Sequence, residues 1–326
     1  MADESNEELD YEFLPFVKVY KNGHVKRLMG TETTPPGNDP QTGVTSKDVT
    51  NIIPQTKVYA RIYLPNLTLA TTNTRHKLPL VVYFHGGGFL ANTPSSSTYH
   101  NYLNALAAEC QVIAVSVNYR KAPEHPLPIA YEDSWAAFQW VASHCNYDGP
   151  EDLLNHHADF GRIFLAGDSA GANIAHNLAM AAGNPDARLK LSIHGIVLID
   201  PYFWGSDTIG SEGMEPGMKA YVDRLWPLVC PSCPMDHPWI NPMAESGLGL
   251  AGLGCRRVLV SVAEKDILKD RGWHYFHVLS RSGWMGMIEI HEAQGEKHVF
   301  HLNDSDCDNS KERMKRMADF FNSSFP

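Results

Sequence analysis

Hydrophobic residues fall along this chain in two rhythms. Six stretches are almost continuously apolar: residues 78–84 (LPLVVYF), 112–117 (VIAVSV), 162–167 (RIFLAG), 195–200 (GIVLID), 257–263 (RVLVSVA) and the shorter 287–290 (MIEI). Runs of this length without polar alternation fit central β-strands covered on both faces. Between them lie segments with helical spacing, at 99–109, 131–143, 170–182 and 272–282. Strand and helix in alternation predict an α/β architecture, a mostly parallel central sheet with helices on both faces. Upstream the rhythm changes. Val58, Ala60, Ile62 and Leu64 alternate with Tyr59, Arg61 and Tyr63, which predicts a half-buried strand. Residues 16–28 read as two short strands around the turn pair Asn22-Gly23.

Two segments break the alternation. One is 1–45, which contains an irregular Pro/Gly/Thr-rich tract; the other is 202–253, rich in Pro, Gly, Trp and Met. Long insertions beside such a sheet often wall the site. The expected organisation is a single domain over 1–326, with 1–45 as an N-terminal lid and 202–253 as a cap insertion; 326 residues suit it.

Composition narrows the partners. Hydrophobic residues at 43% and charged ones at 20% indicate a packed core, and a formal net charge of -10 argues against a nucleic-acid groove or an anionic membrane surface. No run approaches the roughly 18 apolar residues of a membrane span. The six cysteines are scattered, and the acidic start MADESNEELDYEF lacks the basic and apolar regions of a secretory signal. A cytoplasmic protein with reduced thiols is expected, and the sequons at Asn66, Asn303 and Asn322 are then incidental.

The densest chemical signal is LAGDSAGAN at 165–173. An apolar strand runs into Gly167-Asp168-Ser169-Ala170-Gly171, and a helix of small residues follows. A serine on a strained strand-to-helix turn projects its Oγ above the sheet and requires small neighbours, so Ser169 is the candidate nucleophile. Such a nucleophile needs N–H groups fixed where negative charge develops. His85-Gly86-Gly87-Gly88 follows the strand at 78–84, and the amides of Gly87 and Gly88, joined by that of Ala170, are the expected oxyanion hole. The serine also needs a base, and the base an orienting acid. Asp266 sits past the C-terminal end of the 257–263 strand, where parallel sheets place their sites. Asp270 and Glu264 compete with it, Asp270 being better placed in the first turn of the next helix. His298 lies on the loop after the last strand, whereas His291 is too near that strand and His301 falls on the following helix.

Together these motifs resemble the plant carboxylesterases, within the hormone-sensitive-lipase group of α/β-hydrolases. The resemblance rests on HGGGF (85–89), NYRKAPEHPLPIAYEDSW (118–135), GDSAGANIAHN (167–177), the Asp-x-Leu-x-Asp of 266–270 and GEKHVF (295–300), and it covers nearly the whole chain. It implies a triad of Ser169, Asp266 and His298 with an oxyanion hole of Gly87, Gly88 and Ala170. It also implies a serine carboxylesterase working through an acyl-enzyme, without cofactor or metal, on small, moderately apolar esters such as acetylated or phenolic plant metabolites. Lys121 stands where YRLAPE would carry Leu, and Ala172 where many relatives carry Gly; neither touches the chemistry. The resemblance extends to 2-hydroxyisoflavanone dehydratases, some with Thr at the position of Ser169, so an eliminating lyase or cyclase using the same residues is the alternative. Gibberellin receptors use this fold for binding but lack the catalytic histidine, which His298 supplies here. A homo-oligomer is left open.

Other motifs carry less. GLGLAG (247–252) matches G-x-G-x-x-G but neither follows a strand nor opens a helix, so no dinucleotide site is expected. Cys230 and Cys233 lack a second ligand pair, and His274 and His277 read as a helix surface. Trp204, Met214, Met218, Trp226, Met235 and Trp239 are candidates for lining an apolar pocket.

Overall fold

A computed structural model describes residues 8–54, 56–67, 77–187, 189–244 and 249–323. The chain opens on a small antiparallel sheet of β1 (Leu9–Phe13), β2 (Val17–Tyr20) and β3 (Val25–Arg27). The last two flank the Asn22-Gly23 turn, and Gly23 takes the left-handed φ of +84° that this turn requires. The first strand was not legible from residue pattern.

The main sheet comprises β4 (Thr45–Val49), β5 (Tyr59–Leu64), β6 (Leu78–Phe84), β7 (Ile113–Asn118), β8 (Ala158–Asp168), β9 (Ile193–Ile199), β10 (Cys255–Ala263) and β11 (Met287–Ala293). Their spatial order is β11-β10-β9-β8-β6-β7-β5-β4. Every pairing from β11 to β7 is parallel, while β5 joins β7 and β4 joins β5 antiparallel. All six apolar runs are strands of this sheet. The helices are α1 (Ser97–Cys110), α2 (Ile129–Ala142), α3 (Asp152–His157), α4 (Ala170–Ala182), α5 (Pro216–Val229), α6 (Lys269–Arg281), α7 (Phe300–Asn303) and α8 (Asp308–Asn322).

Strand side chains alternate between two cores, as a period of two dictates. Val82, Leu165, Leu198 and Val260 face one cluster with Phe138, Ile174 and Leu279 of α2, α4 and α6. Val81, Phe164, Val197 and Leu259 face the other with Leu103, Leu106, Met317 and Phe321 of α1 and α8. Both faces are therefore covered, which is why these strands lack polar alternation.

The segment 202–253 forms no sheet strand among its described residues. It contributes α5, flanked by irregular chain and short 3-10 turns. Residues 245–248 lie outside the described residues, and with them Gly247 and Leu248 of the GLGLAG motif. The remainder of that motif is a 3-10 turn leading into β10, with no helix for a dinucleotide phosphate. No helix among the described residues is long and apolar enough to cross a membrane.

Candidate functional site

Ser169 joins the end of β8 to the start of α4 with φ 52° and ψ -117°, a backbone conformation costly for any residue with a Cβ. The turn survives because its neighbours give way. A Cβ on Gly167 would lie 2.4 Å from the Gly171 carbonyl carbon, and one on Gly171 would lie 1.9 Å from the Phe84 carbonyl oxygen. Ser169 itself is held by its N–H to Ile199 O at 2.8 Å, and its carbonyl accepts from Tyr202 N at 3.1 Å.

Asp266 and His298 arrive from the β10 and β11 side. His298 Nδ1 donates to Asp266 Oδ2 at 2.6 Å, and His298 Nε2 lies 3.0 Å from Ser169 Oγ. The other Asp266 oxygen accepts from Leu268 N at 3.0 Å. The structure thus brings Ser169, His298 and Asp266 into one hydrogen-bonded run. The competing acids are engaged elsewhere. Asp270 sits in the first turn of α6 and accepts from the Ser211 amide at 2.6 Å, and Glu264 accepts from Gly295 N at 2.6 Å. His291 lies within β11, and His301 on α7 turns its Nδ1 to Arg313 at 3.0 Å.

Gly87 and Gly88 line the cleft beside Ser169 and take φ of +106° and +62°. Ala170 is fully buried as the first residue of α4. Among the described residues the backbone N–H groups of all three lack a partner. They are donors without an acceptor, beside a helix N-terminus that favours negative charge.

Two buried acids were missed by sequence reasoning. Asp168, the variable residue of the Gly-x-Ser-x-Gly motif, accepts from Tyr83 Oη and Tyr99 Oη at 2.8 Å each and faces Gly86 N at 3.3 Å. Gly86 N also donates to Tyr99 Oη at 2.8 Å, so this network anchors the glycine loop from below. Burial pushes Asp168 up to about 6, against the two tyrosine hydrogen bonds and the charge of His298. Asp200, at the end of β9, takes Arg313 on both oxygens at 3.0 and 3.1 Å and accepts Val299 N at 2.9 Å. It is thereby a brace for the loop that carries His298. Burial holds Asp200 above the usual carboxylate range despite Arg313. The only advance signal was its position, an acid at the C-terminal end of an apolar strand.

For His298, burial alone would favour the neutral ring. The charges of Asp266, Asp200 and Asp168 outweigh it and raise His298 to about 9. The side chain is 36% exposed to the cleft, so the upward direction, set by three carboxylates, is what carries the chemistry.

Ligand atoms of Asp200, Asp266 and His298 lie within 4.8 Å of one another. Each of their ligand atoms already bonds Arg313, Val299, Leu268, Ser169 or one another, and a guanidinium against Asp200 opposes a further cation. The residues therefore do not fit a metal. Cys230 and Cys233 are free thiols, and His274 and His277 are exposed on α6.

The cleft above Ser169 has a volume of about 850 Å³. Phe16 and Met29 of the N-terminal segment wall it on one side, and Met218, Tyr221 and Leu225 of α5 on another. Of the six Trp and Met candidates only Met218 lines it. Trp204 and Trp226 are fully buried, Met235 and Trp239 pack against the core, and Met214 is 82% exposed. Trp204 and Trp226 thus pack into the core, while Phe16, Tyr202, Tyr221 and Met218 face the cavity.

A family model described as alpha/beta hydrolase fold matches residues 81–302. The chain is 47% identical over 321 residues to probable carboxylesterase 2 of Arabidopsis thaliana, covering 98% of each. It is 42% identical over 319 residues to 2-hydroxyisoflavanone dehydratase of Glycine max, covering 96% of this chain and 98% of that one. Among solved structures, a hyperthermophilic esterase from the archaeon Pyrobaculum calidifontis aligns with TM-score 0.68 at 29% identity, over 85% of this chain and 84% of the other.

Proposed function

Because the chain belongs to the plant carboxylesterase family of α/β-hydrolases, we propose that it is a serine carboxylesterase with Ser169 as nucleophile, His298 as general base and Asp266 as its orienting acid. The observation that carries this reading is the unbroken run from Asp266 through His298 to Ser169 Oγ on a strained turn. The substrate is a small, moderately apolar ester such as an acetylated or phenolic plant metabolite, which a cleft of about 850 Å³ admits. A reducing, cytoplasmic setting suits six free thiols.

The mechanism follows from the geometry. His298 Nε2 takes the proton of Ser169 Oγ as the oxygen attacks the ester carbonyl. Asp266 keeps the other ring proton on Nδ1 and, with Asp200 and Asp168, stabilises the imidazolium. The carbonyl oxygen becomes an oxyanion and accepts from the free N–H groups of Gly87, Gly88 and Ala170. His298 then protonates the leaving alcohol. Water, activated by the same ring, releases the acid and restores Ser169.

The test is hydrolysis of p-nitrophenyl butyrate. Wild type is expected to turn it over, and Ser169→Ala to lose about 10⁶-fold in kcat. A wild type inert towards this and other short-chain p-nitrophenyl esters, or an unaffected variant, overturns the reading. The likeness to the Glycine max dehydratase supports one alternative, an elimination in which His298 removes a carbon-bound proton, the neighbouring carbon–oxygen bond breaks, the departing hydroxyl takes that proton from His298 to leave as water, and Ser169 forms no covalent bond.

A further inference from the structure

Asn92 is an unused polar group in the cleft wall. Its residue is only 9% exposed, yet it lines the cavity, and its side chain makes no hydrogen bond to any described residue. Two glycines clamp it. A Cβ on Gly30 would lie 2.1 Å from Asn92 Oδ1, and one on Gly87 would lie 2.7 Å from Asn92 Nδ2. Both glycines adopt left-handed φ, +70° and +106°, and Asn92 itself has φ +69°. The carboxamide is therefore fixed between the N-terminal segment and the oxyanion loop, with its N–H₂ end towards Gly87. A buried amide held open to a cavity costs desolvation unless a ligand atom pairs with it.

The sheet order says which part of a bound ester meets this amide. Ser169 ends β8; the loop with Gly87 and Asn92 follows β6 on one side of it, and Asp266 and His298 follow β10 and β11 on the other. His298 must protonate the leaving alcohol, so the alcohol lies towards β10 and β11. The other two substituents of the carbonyl carbon, its oxygen at Gly87 and Gly88 and the acyl chain beside it, then both lie towards β6, next to Asn92. Resting on the esterase reading above, we infer that Asn92 is a specificity-determining residue. Its side-chain N–H donates to an oxygen carried by the acyl group close to the scissile carbonyl. Within the small esters proposed above, those of hydroxy-, alkoxy- or keto-acids are turned over faster than acetyl or longer alkanoyl esters. An alkanoyl chain would displace water from the amide and leave its N–H unpaired.

The experiment compares p-nitrophenyl methoxyacetate with p-nitrophenyl butyrate, whose acyl chains have the same length and differ in one ether oxygen. The readout is the ratio of their kcat/KM values, in which changes common to both esters cancel. Asn92→Gly removes the amide and keeps the backbone conformation; Asn92→Asp keeps size and φ tolerance but, ionised, offers no N–H. The methoxyacetate-to-butyrate ratio is expected to fall roughly tenfold in Asn92→Gly and at least as far in Asn92→Asp. A ratio unchanged in Asn92→Gly, even with both rates reduced, overturns the inference, because Asn92 would then serve only its φ. A ratio kept in Asn92→Asp overturns it too, since the group would be an acceptor. If wild type hydrolyses neither ester, the esterase reading falls and takes this inference with it; if it hydrolyses both with an Asn92-independent ratio, only the inference falls.

Discussion

The 2.6 Å hydrogen bond from His298 Nδ1 to Asp266 Oδ2 sets the protonation chemistry of the site. With one ring proton committed to Asp266, Nε2 is the atom free to accept from Ser169 Oγ. The carboxylates around the ring raise His298 towards about 9, above its ordinary 6.5. A raised base must lose a proton before it can act, so activity rises with pH through that value. We expect the acid limb of the kcat/KM profile for p-nitrophenyl butyrate to lie above pH 6.5. Asp266→Asn removes the largest opposing charge, so the limb should move down in pH while kcat falls on the order of 10⁴-fold, the ring being left in the wrong tautomer. A profile that stays in place in Asp266→Asn would remove Asp266 from this role.

At the scale of elements, the site depends on how closely β6, β8 and α4 approach one another. Gly171 is the point of contact, its Cα against the Phe84 carbonyl. Gly171→Ala forces these backbones apart and should cost at least about 1–3 kcal/mol in urea unfolding. It should also lower kcat, because Phe84 leads directly into the glycine loop; an unchanged urea midpoint would contradict this packing. This also explains what the sequence made legible. The strands of the doubly covered sheet announce themselves as apolar runs, and the Ser169 turn as small residues between a strand and a helix. Helix α5 did not, because its internal Pro227 and surrounding Gly and Pro mask its period. Terminal α8 is so polar on its outer face that Met314, Met317, Phe320 and Phe321 were not recognised as one packed stripe. Asp168, Asp200 and Asn92 act through partners distant in sequence, such as Tyr83, Arg313 and Gly30, which no local pattern reveals.

At the scale of the molecule, the small N-terminal sheet joins the main core through Phe13, Val17 and Val19 and is pinned by Arg27 to the loops after β6 and β7. Arg27 at the end of β3 donates to Leu90 O at 2.8 Å and Ala122 O at 3.2 Å and forks onto Glu124 at 2.8 and 2.7 Å. Phe13 stacks on Tyr221 of α5 with ring centroids 4.8 Å apart. Arg27→Met should loosen this cover by about 1–2 kcal/mol. Limited proteolysis should then cut the N-terminal segment sooner, and KM for bulky esters should rise more than kcat falls. Equal protease resistance in the two proteins would show that other contacts hold the cover. Whether Ser169 Oγ becomes covalently acylated is read directly by a rapid-mixing experiment with p-nitrophenyl acetate. The expected result is a burst of p-nitrophenolate stoichiometric with enzyme, together with an acetyl group on the Ser169 peptide in acid-quenched samples. Steady turnover with no burst and no label on Ser169, even in the first milliseconds, would contradict that acylation.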